Sequence, residues 1–147
     1  MFWKRKKFFT AAEEKQIMAA VRTAEKASSG EIRIFVETAC PETVETRSVE
    51  IFKKLKMRHT HDRNAVLIYV ATDSRKFAIF GDEGIHHKMG FQFWTAEAAT
   101  LKSYFEQNRI VEGICAVAVN IGEILKTHFP HPPDKPNELP DKPVYGK

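Results

Sequence analysis

A chain of 147 residues with 43% hydrophobic content and eleven phenylalanines has the length of one domain and enough apolar mass to fill a core. Its formal net charge of +4 has a local source: Lys4, Arg5, Lys6 and Lys7 lie in the first ten residues, and the other 19 basic side chains are balanced by 19 acidic ones. A folded region without net positive charge lacks the electrostatic footprint of a nucleic-acid binder, so that class is set aside.

Two cysteines, Cys40 and Cys115, make no disulfide framework and fit a reducing, cytoplasmic compartment. The start "MFWKRKKFFT" is charged but has no apolar stretch long enough for a secretory signal. Nothing approaches the roughly eighteen apolar residues of a membrane span. Residues 1–9 read as a basic, frayed lead-in, with weak contact to an anionic membrane surface as the sharper alternative.

In chain order, Thr10-Ala11-Ala12-Glu13 matches the capping box and predicts a helix with Ile17, Val21 and Ala24 on one face. "SSG" at 28–30 stops it. "EIRIFVE", 31–37, alternates Ile32, Ile34 and Val36 with Glu31, Arg33 and Phe35, the pattern of a half-buried strand. "CPETVETRSVEIFKKLKM" then carries Val44, Ile51, Phe52 and Leu55 at helical spacing. "AVLIYVA", 65–71, is continuously apolar, which predicts a central strand covered on both faces. "TDSR" makes a turn and "KFAIFG" returns as the second arm of a hairpin.

A short helix at 84–88, a helix from about 91 to 107 and a last helix over 110–128 follow. The last is apolar nearly all round, through Ile110, Ile114, Val117, Ile121 and Leu125, and is expected to be sandwiched in the core. Six of the seven prolines fall between 130 and 143, so residues 130–147 read as an extended, disordered tail. Its P-x-x-P spacings, Pro130–Pro133 and Pro133–Pro136, offer an alternative function as a ligand for a partner protein's aromatic groove.

A strand, a crossover helix and a second strand form a right-handed parallel unit, and the hairpin adds an antiparallel strand. Helices on both faces make an α/β fold, a three-layer α/β/α sandwich around a small mixed sheet, spanning residues 10–129. This topology brings together groups that are distant in sequence. The first two strands start at the same end, and the third finishes there. Glu31, Asp62, Asn64, Asp82 and Glu83 should therefore share one rim.

Two carboxylates about 5 Å apart repel by roughly 3 kcal/mol at an effective dielectric near 20. A bound cation relieves this, and carboxylates with an amide and backbone carbonyls suit calcium, or magnesium as the alternative, better than zinc. The competing explanation is that Asp82 caps the helix after it and Glu83 occupies its first turn. His59, His61, His86 and His87 also fall near this rim and are expected to be solvated. A second location, the carboxyl ends of the parallel strands at 37–40 and 72–75, is where open α/β sheets usually bind ligands. The sequence holds no phosphate loop, nucleophile elbow or cysteine-phosphatase loop, so it displays no active site.

"SSGEIRIFVE", "RNAVLIYVATDSRKFAIFGDEGI" and "VEGICAVAVNIGEILKTHF" together resemble the TPM domain. That family was founded on a thylakoid-lumen protein, a photosystem-associated protein and a nematode receptor-accessory protein. The similarity covers roughly residues 10–129. It implies an α/β/α sandwich, divalent-metal binding with calcium the usual candidate, and a phosphatase activity reported for some plant members. The family's polar segments correspond here to Asp62, Arg63 and Asn64 and to Asp82 and Glu83. Many members carry an export signal and a membrane anchor; neither is read here, so lumenal and receptor functions are not carried over. The expectation is a module that binds calcium at the acidic rim and acts with a partner protein. A metal-assisted phosphomonoesterase, with Arg63 neutralising phosphate charge, is the alternative.

Overall fold

The computed structural model describes residues 8–26, 28–90, 92–130 and 139–146. Residues 1–7 of the basic lead-in and Pro133 and Pro136 of the P-x-x-P spacings lie outside them. The element order is α1 (Ala11–Glu25), β1 (Glu31–Glu37), α2 (Val44–Lys54), β2 (Ala65–Ala71), β3 (Lys76–Gly81), α3 (Glu83–Met89), α4 (Gln92–Glu106), α5 (Ile110–His128) and β4 (Val144–Tyr145). The predicted capping box is present: the Glu13 amide donates to Thr10 Oγ1 and the Thr10 amide to Glu13 Oε1.

The sheet order is β3-β2-β1-β4, with β1 parallel to both β2 and β4, and β3 antiparallel to β2. Strand parity divides the interior into two cores. Ile32, Ile34 and Val36 with Val66, Ile68 and Val70 face α1, α4 and α5. Phe35, Leu67 and Tyr69 face Ile51, Phe52 and Met57 at α2 and just beyond it. Two apolar cores on opposite faces of one mixed sheet are the predicted three-layer sandwich.

Three expectations need correction. β1 is not half-buried: every residue except Arg33 is buried, because β4 covers its free edge and Phe35 clusters with Phe52 and Leu139 on its second face. α5 is not apolar on all sides of its packing. Gly113, Ile114, Val117, Ile121 and Leu125 are buried against α1 and α4, while Val119, Asn120 and Glu123 remain exposed. Finally, the tail is not disordered throughout. Val144 pairs with Phe35 and Tyr145 with Val36, and the Gly146 amide donates to the Val36 carbonyl at 2.7 Å. Burial of Leu139 and a 2.5 Å hydrogen bond from Tyr145 Oη to Glu14 Oε2 anchor the segment on either side.

Candidate functional site

The chain reversal at the β2–β3 hairpin brings Asp62-Arg63-Asn64 beside Asp82-Glu83-Gly84. The Asp82 amide donates to the Ala65 carbonyl at 3.0 Å and the Gly84 amide to the Arg63 carbonyl at 2.9 Å. Gly84 is required here, since a Cβ at this position would lie 2.3 Å from the Asp62 carbonyl oxygen and 2.6 Å from that of Arg63. The β1 side adds Ser29, held by a 2.7 Å bond from its amide to the Phe129 carbonyl.

Within this rim a directed chain of hydrogen bonds runs from Asn64 to Asp62. Asn64 Nδ2 donates to Ser29 Oγ at 2.9 Å, and Ser29 Oγ donates to Asp62 Oδ2 at 3.1 Å. His61 Nδ1 lies 3.0 Å from the other Asp62 oxygen. Asn64 is fully buried, and its Oδ1 has no hydrogen-bond partner among the described residues. A cleft of about 390 Å³ opens alongside, lined by Ser29, Asp62, Gly84, His87, Lys88 and His128 among others.

Asp82 and Glu83 reach the same rim but are engaged by Arg63. Its Nε and Nη2 donate to the two Asp82 oxygens at 2.7 and 2.8 Å, and its Nη1 to Glu83 at 3.1 Å. The bond to Asp82 also raises the guanidinium pKa. Asp82 is the N-cap of α3, accepting from the Glu83 amide at 2.8 Å. Both sequence-level roles of Asp82, capping and rim carboxylate, thus coexist. The fork considered for phosphate charge is occupied by carboxylates.

Glu31 is the residue that does not join the others. It is fully buried at the start of β1, and its carboxyl is hydrogen-bonded to Glu25 at the end of α1. Glu25 also accepts from the Ile32 amide at 2.8 Å. Among the histidines, His61 is almost fully exposed, His87 lines the cleft and His86 packs edge-on against Trp94. No group of three His, Cys, Asp or Glu side chains able to hold a metal occurs among the described residues.

The opposite end of the sheet holds a network that reading the sequence missed. Glu37, 4% exposed, accepts from Arg47 Nε at 2.8 Å, from Arg47 Nη2 at 2.7 Å and from the Tyr69 hydroxyl. Burial, then the bonds to Glu37 and Cys40, push the Tyr69 hydroxyl pKa up. A glutamate ending a buried strand with an arginine ten residues on was the available signal.

The TPM domain model matches residues 4–124. The chain belongs to the TPM domain family. The BA42 protein of the psychrophilic bacterium Bizionia argentinensis, solved by NMR, is 37% identical over 96% of this TPM chain and 97% of its own, with a TM-score of 0.89. The N-terminal domain of the cg2496 protein of Corynebacterium glutamicum shares the fold at 12% identity, covering 92% of this chain and 80% of that one, with a TM-score of 0.65. An N-terminal domain from P. gingivalis does so at 14% identity, 84% and 82% coverage and a TM-score of 0.65. No curated protein matches the sequence. No helix among the described residues of this TPM chain is long and apolar enough to cross a membrane.

Proposed function

We propose that this TPM module binds a hard divalent cation, calcium ahead of magnesium, at the rim where Ser29, Asp62 and Asn64 meet. The observation that carries this reading is the buried Asn64 Oδ1, without a hydrogen-bond partner among the described residues, in a side chain whose amide nitrogen is fixed on Ser29. A buried acceptor left unsatisfied costs about 1–3 kcal/mol, and a cation shared with a nearby carboxylate would relieve that cost. The donor types fit: a carboxylate, an amide oxygen and a hydroxyl are hard ligands suited to calcium.

The charge is modest, because Arg63 holds Asp82 and Glu83 and leaves Asp62 as the available anion. Few charged ligands and an open cleft correspond to dissociation constants of about 10⁻⁴–10⁻³ M. Cys40 and Cys115 form no disulfide, which supports a cytoplasmic setting.

Titration with calcium chloride followed by ¹H–¹⁵N NMR tests the proposal. Saturable shifts should appear at the amides of Ser29, Asp62, Asn64 and Gly84 and vanish in Asp62→Asn. Shifts that persist in that variant, or that occur only elsewhere, contradict the reading.

A further inference from the structure

The far end of the sheet supports an inference independent of the rim. β1 and β4 are parallel neighbours, and their carboxyl ends lie side by side at Glu37 and Gly146. Open α/β sheets usually bind ligands in a crevice beyond the carboxyl ends of their parallel strands. Here that crevice is a cavity of about 820 Å³. It falls within the roughly 300–1,000 Å³ of small-molecule pockets.

Its walls include Phe35, Leu55, Val144 and Tyr145, and Arg47 and Lys54 contribute positive charge. Both oxygens of Glu37 are engaged, by Arg47 and Tyr69, so its carboxylate is already satisfied. The guanidinium has donors to spare. Its Nη1 lies 3.7 Å from the carboxylate of exposed Glu50. The pocket therefore offers donors beside an apolar wall. That wall is pre-organised: Phe35 stacks on Tyr69 at 6.1 Å, and the Arg47 guanidinium lies 5.9 Å from the Phe35 ring centre.

We propose that this crevice binds a small amphipathic anion, a carboxylate or phosphate carried on a ring-sized apolar body. The head group sits at the outer edge of Arg47 and near Lys54, and the body lies against Phe35 and Leu55.

The test is ¹H–¹⁵N NMR titration of the whole chain with benzoate, phenyl phosphate, benzyl alcohol and inorganic phosphate. Benzoate or phenyl phosphate should give saturable shifts at Thr38, Ala39, Val144 and Gly146, and the stronger of the two identifies the head group. Benzyl alcohol and inorganic phosphate, each lacking one half of the chemistry, should bind at least about tenfold more weakly, a difference of about 1.4 kcal/mol. Lys54→Gln should weaken binding about threefold, and Ala39→Phe, which fills the mouth from an exposed position, should abolish it with the melting temperature unchanged. Asp62→Asn should leave it unaltered, which separates this site from the cation reading. Absence of saturable shifts with all four probes, equal binding of benzyl alcohol, or full affinity in Ala39→Phe would overturn the proposal.

Discussion

Arg63 has a φ of +52°, a left-handed conformation costing a side chain with a Cβ roughly 1–2 kcal/mol, and its guanidinium bridges Asp82 and Glu83. The ion pairs help offset that strain, and they also explain how three acids share a rim without mutual repulsion dominating. Glu25 is in a different position. Burial, then hydrogen bonds with Glu31 and Asp141, push its pKa from 4.5 up to about 10, against a lowering contribution from the Ile32 amide. Arg22 bonds to Asp141 at 3.3 Å, and partly buried Arg33 also interacts with Asp141. The folded chain keeps the Glu25 proton where the unfolded chain has released it, so stability falls as pH rises between those two values. Thermal unfolding of the wild type should show a melting temperature declining from pH 6 to pH 9. Glu25→Gln, which is neutral throughout, should flatten the decline and add about 1–2 kcal/mol at pH 8. Parallel curves for the two proteins would contradict this.

At the scale of elements, α1 and α5 meet at Gly122 so closely that an added Cβ would lie 2.5 Å from both Ala24 Cα and Ala24 Cβ. Gly122→Ala improves helix propensity by about 1 kcal/mol but forces the two backbones apart. The net expectation is a loss of about 2 kcal/mol, read as a lower denaturant midpoint with an unchanged slope; an unchanged or raised midpoint would be inconsistent with this packing. The same elements mark what the sequence disclosed. α5 was legible to its boundaries because nineteen residues of apolar pattern outweigh local noise. β4 was not, since two residues in a proline-rich segment are too few for any periodicity to register. The burial of β1 was underestimated for the same reason: the strand covering its edge was invisible.

Across the whole molecule, the direction of each strand determines which distant residues meet. That much could be read in advance, because a hairpin reverses the chain whatever its side chains do. It placed Asp62, Asn64, Asp82 and Glu83 at one rim, and they are there. It could not say where each side chain turns: Glu31 folds back to Glu25, and Ser29, read only as a helix stop, proves to be the link between Asn64 and Asp62. Nor did it show that Arg63 would neutralise two of the acids, since a guanidinium's partner depends on one left-handed residue. This arrangement yields the most direct test of the cation reading. Removing the guanidinium in Arg63→Gln leaves the charges of Asp82 and Glu83 uncompensated and makes the rim that carries Asp62 more negative. Calorimetric titration of calcium into the wild type and Arg63→Gln should show affinity about threefold or more higher in the variant, because a nearby positive charge is gone. Equal or weaker calcium binding by Arg63→Gln would contradict the account.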